Sequence, residues 1–550
     1  MDKKPYVIAY DFGTQSVRAL IFDNKGNTVG KVKNPFSPAY YSKKPGWAEQ
    51  NVDFYWQKLS ETSLMLKKEV GEEVWSKIGA ASVTTFRDAV VCWDKDLNVI
   101  RPVILYLDAR RLDHAAEGIP LWQRALFKCV GMYDTVIMQR EATFCNWIKK
   151  NEPEVWANTA KYTQFSAYVN YRFTGKLVDS TASMIGHFPF DYKRKTWLKK
   201  SDLTRHIFDC TDEQMAELCP PCSVIGGITE EAAAATGLPV GLPFIASGSD
   251  KGCETLGTGC IGNDVASLSM GTAASVQLTT DKHVSPSAFM PAYPSLYPDK
   301  FNPETLVFRG YWMVTWFKNE FASKEVVEAQ KLGISPEELL NKRLSEVPPG
   351  SQGLILQPYW SPGVKTPEAK GCIIGFSDVH SRIHLYRAII EGIGYALYDG
   401  LKRMEKRAGY NVKRLTVSGG GANSDVICQI TADIAGLKVQ KVQTYETSAL
   451  GCAMAAFVGM GEFKNLDEAV KAMSHVVKEY QPNPKNHQIY QQLFDRVYKK
   501  IYKANKKFYS EIKDVLCETE SAGSDVTISG ETDIDSADFQ IGRASCRERV

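Results

Sequence analysis

Three short stretches of this sequence combine the residue types that phosphate chemistry requires. The first is Asp11-Phe12-Gly13-Thr14-Gln15-Ser16. Gly13 permits a tight turn and close backbone approach to an anion, while Thr14, Gln15 and Ser16 supply hydroxyl, amide and backbone N–H donors that can cradle a terminal phosphate. Asp11 stands where a carboxylate could hold Mg²⁺ directly or through water. The second stretch is Gly271-Thr272, again a glycine and a hydroxyl in a turn. The third is Gly419-Gly420-Gly421-Ala422-Asn423, which precedes a predicted helix over 425–435 whose N-terminal amides can take an anion or a nucleotide's phosphates.

The elements around these stretches are strands. Residues 7–10 and 17–22 are β-branched, aromatic or otherwise apolar and read as two strands joined by the Gly13 turn. A turn over 23–27 and a further strand over 28–32 complete an antiparallel meander of three. Residues 264–270 and 275–279 repeat the pattern around Gly271-Thr272, as two copies of one nucleotide-binding unit facing each other would require. An amphipathic helix is expected over 53–70, strands over 78–84 and 89–93, and largely helices from 121 to 217, broken at Pro153, Gly175 and Pro189. A helix over 230–235 stops at Gly237 and Pro239, and a strand over 243–247 leads into Gly248-Ser249-Asp250-Lys251. The small-residue run 447–459 reads as a helix packed closely against a neighbour. Asp11-Phe12-Gly13 is not the metal-binding Asp-Phe-Gly of protein kinases, because no glycine-rich loop, strand lysine or His-Arg-Asp loop precedes it.

At 550 residues the chain exceeds one ordinary core and implies two domains or more. Its 66 basic and 63 acidic residues nearly cancel, and no long basic stripe is present, so nucleic-acid and membrane-surface binding are not expected. Residues 1–5 are polar and no apolar run reaches the roughly 18 residues of a spanning helix, which predicts a cytoplasmic protein. The 13 cysteines are scattered without nearby histidine partners, which predicts reduced thiols rather than zinc or disulfides.

Taken together, the motifs resemble those of the FGGY family of carbohydrate kinases, over roughly residues 6–480. Asp11 to Ser16 with Arg18 looks like the family's first phosphate loop, and Pro45-Gly46-Trp47-Ala48-Glu49-Gln50 like its Gly-Trp-x-Glu-Gln segment. Gly248-Ser249-Asp250 is similar to its catalytic-aspartate loop and Gly271-Thr272 to its second phosphate loop. Gly371 through Gly375 to His384, Arg387 and Glu391-Gly392 resembles the C-terminal signature, and Ser418 to Asn423 with 447–456 the adenosine-binding motif. The resemblance implies an α/β fold of two ribonuclease-H-like (actin-like) domains, with an ATP and sugar cleft between them. Domains are expected at 1–256 and 257–516, followed by a disordered, partly non-native tail at 517–550.

The activity implied is ATP-dependent phosphorylation of a hydroxyl of a small sugar or polyol. Asp250 would act as general base, Asp11 would be linked to Mg²⁺, and Thr14, Gln15, Ser16, Arg18, Gly271 and Thr272 would hold phosphates. Gly420, Gly421, Ala422 and Asn423 would carry adenosine. On the substrate side stand Trp47, the pair Arg87-Asp88, and Lys251. Arg87-Asp88 falls where glycerol kinases of the family have Gln-Arg-Glu, and a guanidinium beside a carboxylate can donate to and accept from adjacent hydroxyls. Asp88 is shorter than Glu, which leaves room for a polyol or ketose of about four to six carbons. Lys251, where many members have Gln, could bind an acidic substrate or pair with Glu254. Other departures are Phe144-Cys145, where a lysine is usual before Trp147, Ser361-Pro362-Gly363-Val364-Lys365 in place of a Gly-Glu-Arg turn, and Phe376. These lie toward the substrate, so the resemblance does not name the sugar. A glycerol kinase or an autoinducer-2-like quorum-signal kinase is an alternative. An actin-like scaffold or chaperone ATPase is another, though it leaves Arg87-Asp88 and Trp47 unexplained. Partners are expected to be the sugar and, at most, a second copy in a homodimer.

Overall fold

The computed structural model describes residues 4–287, 290–360 and 368–521, with side chains through residue 516. The first hairpin anchors a six-stranded sheet. Strands β1 (Tyr6–Phe12), β2 (Ser16–Asp23) and β3 (Thr28–Pro35) form the antiparallel meander, and β4 (Ile78–Thr85), β5 (Val224–Gly227) and β6 (Pro243–Ile245) complete the order β5-β6-β4-β1-β2-β3. Helix α1 (Val52–Trp75) links β3 to β4, its N-terminus capped by the Asn51 side chain, which accepts from Asp53 N. Side-chain alternation along β1 sends Ile8, Tyr10 and Phe12 toward Leu59 and Leu66 of α1, and Val7 and Ala9 to the opposite face.

Helix α2 (Asp250–Gly257) follows β6, and the second half then repeats the scheme. Strands β7 (Val265–Met270), β8 (Ala274–Gln277) and β9 (Glu304–Val307) form a second meander. After α3 (Arg382–Ala408) come β10 (Arg414–Ser418), α4 (Asp425–Ala435), β11 (Lys438–Val442), α5 (Thr447–Gly459) and β12 (Val476–Tyr480). The sheet order is β9-β8-β7-β10-β11-β12. Read from β3 in the first sheet and from β9 in the second, the neighbour relations are antiparallel, antiparallel, parallel, parallel, antiparallel, so the two sheets match strand for strand in direction. Only the sixth strand arrives differently: β5 precedes β6 in the chain, whereas β12 follows β11. The duplicated hairpin read from the sequence is therefore a duplicated sheet.

The two halves meet along α2 and α5. A Cβ on Gly257 would lie 2.0 Å from the Thr447 carbonyl oxygen, and one on Gly451 1.9 Å from that of Cys253, so the helix backbones touch where only glycine fits. Ala449, Ala453 and Ala456 of α5 pack with Val7, Ala9, Leu20 and Phe22 on the face of the first sheet that α1 leaves open. A helix from late in the chain thus covers the first sheet, and the boundary expected after Leu256 falls inside α2.

The segment expected to be mostly helical to residue 217 departs from that expectation. Helices end at Thr174, closed by Gly175 at φ 69°, and 178–219 holds short strands and one 3-10 turn. Its Asp and Ser side chains bond local backbone instead of supporting a helix, Asp179 Oδ1 accepting from Ser180 N at 2.8 Å and Ser180 Oγ from Ala182 N at 3.2 Å. Helix α6 (Lys499–Ser521) continues past residue 516, where the sequence predicts disorder. Ser361 to Lys365 and the tail beyond Ser521 lie outside the described residues. Among the described residues no helix is long and apolar enough to cross a membrane.

Candidate active site

The site forms where the ends of both sheets face each other across α2. The Gly13 turn closes with Gly13 N donating to Ser16 O at 3.0 Å, and Gln15 O accepts from Phe36 N at 2.8 Å, which fixes the loop. The antiparallel register places Asp11 opposite Arg18, and Arg18 Nη1 donates to Asp11 Oδ2 at 2.8 Å. Arg18 also pairs at 3.3 Å with Glu446, at the entry to α5, and Lys31 binds the same carboxylate. Burial drives the Asp11 carboxyl up to about 6. Arg18 opposes that shift, and the nearby charges of Asp250 and Glu446 add to it. Thr14 Oγ1 lies 2.7 Å from the hydroxyl of Tyr106, a half-exposed ring that also feels the charges of Asp250, Lys251 and Arg87. Ser16 is buried at the start of β2, while Gln15 is exposed.

Asp250 is the first residue of α2, which Ser249 caps by accepting from Gly252 N at 3.3 Å. Thr84 Oγ1 donates to Gly248 O at 2.9 Å and Ser247 Oγ to Val83 O at 2.6 Å, so the loop is tied to the end of β4. The Asp250 carboxylate keeps 29 % of its side-chain surface exposed, enough to meet a ligand. Burial raises its proton affinity, against the opposing charges of Arg87 and Lys251.

Arg87 holds the centre of the opposite wall. Its Nε lies 3.8 Å from Asp250 Oδ1, and its Nη1 donates to Glu304 Oε2 at 2.7 Å. Glu304 sits on β9, so this ion pair joins the two halves of the chain. Burial raises the Glu304 carboxyl, but Arg87 outweighs it and leaves the group below the usual carboxylate range. The Tyr293 ring lies 5.4 Å from the guanidinium. Asp88, left-handed at φ 54°, turns away from Arg87 toward His187, whose backbone N and Nδ1 meet its two oxygens at 2.8 and 2.7 Å. Such a backbone costs a non-glycine residue about 1 kcal/mol. Lys251 bonds Glu254 at 2.7 Å and also Ser269 of β7, while Glu254 accepts from Ser418 Oγ at the end of β10.

The second turn is held by its carbonyls: Tyr311 N donates to Gly271 O at 3.1 Å and Trp312 N to Thr272 O at 3.2 Å. The glycine loop lies directly on it, since a Cβ on Gly419, at φ 80°, would come within 3.0 Å of Gly271 N. Gly421 is filled by the Tyr311 ring and Met270, Ala422 is buried and Asn423 is exposed. Gly420 has no atom within 4 Å of a built Cβ, an open surface that suits a flat adenosine ring. For Mg²⁺ the fit rests on Asp11. It is a buried carboxylate whose raised proton affinity marks incomplete charge compensation, although no group of three or more His, Cys, Asp or Glu forms a closed metal cage among the described residues.

Trp47 lies apart from these groups. Its ring packs edge-on to Trp147 at 5.2 Å, with the Arg110 guanidinium 3.9 Å from one indole and 4.5 Å from the other. Arg110 is bound in turn to Asp108 and Glu49. Among the described residues no hydrogen bond, ion pair or ring contact links Trp47 to Arg87, Asp88 or Asp250. Sequence reasoning missed Tyr106, His187 and Glu304. Tyr106 alone had a local signal, the Asp108-Ala109-Arg110-Arg111 run beside it.

The N-terminal domain of the FGGY family of carbohydrate kinases matches residues 6–257 and its C-terminal domain residues 266–460. An uncharacterized sugar kinase of Escherichia coli, YgcE, is 29 % identical, over 91 % of this chain and 94 % of that protein. A xylulose kinase of Staphylococcus epidermidis is 26 % identical, covering 92 % and 99 %. Among solved structures, the xylulose kinase of Rhodospirillum rubrum superposes with a TM-score of 0.77 at 27 % identity, covering 92 % of this chain and all of that one.

Proposed function

The chain belongs to the FGGY family of carbohydrate kinases, and we propose that it transfers the terminal phosphoryl group of ATP to a hydroxyl of an uncharged polyol or ketose of about four to six carbons. As a member of that family it is a sugar kinase, which sets aside the scaffold or chaperone alternative. The observation that carries the finer reading is the position of Asp250: a partly exposed carboxylate at a helix start, 3.8 Å from Arg87 and near enough to Asp11 to raise its proton affinity.

In this reading Asp250 accepts the proton of the acceptor hydroxyl as that oxygen bonds to the terminal phosphorus and the bond to the ADP oxygen breaks. Its raised proton affinity suits the task, since a base that begins far below working pH gains little from taking a proton. The amides and hydroxyls of Thr14, Gln15 and Ser16 and the Gly271-Thr272 turn hold phosphate oxygens, and the open surface at Gly420 takes adenosine. Mg²⁺, when bound, would be held near Asp11 and would neutralise phosphate charge. Arg18 shapes the loop through Asp11 and Glu446 rather than offering a free guanidinium.

Charge selects the sugar class. Arg87 is matched by Glu304 and Asp250, and Lys251 by Glu254. An acidic sugar would therefore add a carboxylate where none of these cations is spare, beside Asp250 itself. ADP release should be measured over glycerol, erythritol, D-xylulose, ribulose, rhamnulose, fuculose and gluconate, with and without each sugar. We expect turnover with an uncharged ketose or polyol and none with gluconate. Turnover independent of every sugar, or fastest with gluconate, would refute the reading.

A further inference from the structure

His187 does not belong to any motif in the sequence, yet it is the residue to which the sugar-side wall directs Asp88. Both Asp88 oxygens are occupied by His187, through its backbone N and Nδ1. Among the described residues Nε2 makes no recorded bond, and 27 % of the side-chain surface is exposed. A chain of contacts also joins this ring to the base. Arg87 lies 3.8 Å from Asp250, Tyr293 lies under Arg87, Tyr192 meets Tyr293 at 5.8 Å, and the Tyr192 hydroxyl donates to Gly186 O at 3.0 Å.

The ring is also held in place with some care. Gln164 Nε2 donates to Ile185 O at 2.7 Å, which pins the backbone just before it. Gly186 adopts φ 130°, and a Cβ there would lie 2.3 Å from Asp88 Oδ1, so only glycine lets the carboxylate sit beneath the ring. With Asp88 in the left-handed region, two unusual backbone positions on two segments serve one imidazole. Occupation of Nδ1 by a carboxylate fixes the tautomer so that Nδ1 carries the proton and the neutral ring presents Nε2 as an acceptor.

We propose that His187 is a specificity-determining residue whose Nε2 accepts a hydrogen bond from a hydroxyl of the bound sugar, with Asp88 as the positioning residue behind it. The inference rests on the sugar-kinase reading, and it moves the direct contact from Asp88 to its partner.

Two substitutions separate this role from a structural clamp. His187→Asn keeps a donor near the Nδ1 position, where it can still bond Asp88, but removes the distal acceptor. His187→Gln places an amide near the Nε2 position and gives up the Asp88 bond. With the fastest wild-type panel sugar as probe, the asparagine variant should raise the sugar KM roughly ten- to a hundredfold, with kcat, the KM for ATP and the melting temperature little changed. The glutamine variant should recover part of that loss. Any result in which the asparagine variant takes sugar as well as the glutamine variant overturns the proposal. If wild-type protein releases ADP with no panel sugar, the kinase reading fails and this inference falls with it. Sugar-dependent wild-type turnover with the wrong order of variants removes His187 alone.

Discussion

Asp11→Asn should stabilise the ligand-free fold while damaging its chemistry, and the gain should depend on pH in a defined sense. The Asp11 carboxyl is raised from 3.8 to about 6 by burial, even with Arg18 beside it. Between about pH 4 and pH 6 the native state therefore binds more protons than the unfolded chain, so stability falls as pH rises through that window and the full cost remains above it. A shift of about two units at about 1.4 kcal/mol each puts that cost near 3 kcal/mol. No large discount for solvent applies, because the side chain is 4 % exposed. Asparagine stays neutral at every pH, and Arg18 keeps Glu446 as a partner at 3.3 Å. Urea unfolding at pH 4, 6 and 8 should show the variant equal to wild type at pH 4 and about 1–3 kcal/mol more stable at pH 8. Adding Mg²⁺ with ADP should narrow the gap, because a cation relieves the buried charge. A difference that does not vary with pH, or a variant less stable than wild type at pH 8, would refute the assignment of Asp11 as a poorly compensated buried carboxylate.

Asp250→Asn should lower sugar-dependent turnover by about 10²- to 10⁴-fold with ADP binding intact, and near-normal ADP release in a coupled assay would remove Asp250 as base. A double-mutant cycle of Arg87→Met and Glu304→Gln should give a coupling of about 2 kcal/mol by urea unfolding, little changed by added salt because the two side chains are 16 % and 4 % exposed. A coupling under about 0.5 kcal/mol would mean the pair behaves like a surface contact. Gly420→Leu should raise the KM for ATP without lowering the melting temperature, whereas Gly451→Ala should lower the melting temperature sharply, since its Cβ would strike the Cys253 carbonyl. Equal melting temperatures for the two variants would contradict the close packing of α2 on α5.

The sheet strands were legible because alternation and β-branching are local, and the duplication showed because both hairpins carry the same glycine and hydroxyl turn. The Gly13 and Gly271 turns, the start of α2 at Asp250 and the Gly420 turn could be placed for the same reason: each is a short backbone device with a composition of its own. Partner choice was not legible. Arg87 and Asp88 are adjacent in sequence, which suggests one joint task, yet the left-handed φ of Asp88 sends the two side chains to Glu304 and His187, 217 and 99 positions away. The helix expectation for 178–217 failed where Ser and Asp side chains offered the backbone other partners. Trp47 was placed by family likeness, and nothing in its neighbours foretold that Arg110 would lie against both it and Trp147.

On the proposed reading, the arrangement of charge across the cleft favours a nucleotide that arrives with a divalent cation. Asp11, Asp88, Asp250, Glu254, Glu304 and Glu446 stand against Arg18, Lys31, Arg87, Lys251 and, when protonated, His187. Carboxylates outnumber the permanent cations, and each of those cations is already engaged by at least one carboxylate. A bare triphosphate would enter an already negative site, where low dielectric magnifies repulsion. In that reading a divalent cation held near Asp11 would remove the obstacle, and an uncharged sugar would add nothing to it. The cations also bridge the halves: Arg87 reaches β9, Arg18 reaches the start of α5, and Lys251 reaches β7. Where Gly257 and Gly451 bring α2 and α5 together the two helices are packed backbone to backbone, so relative motion of the sheets should pivot there while the ion pairs make and break at the cleft. Closing those pairs around bound sugar would exclude water from Asp250, which is what separates transfer to a hydroxyl from hydrolysis of ATP.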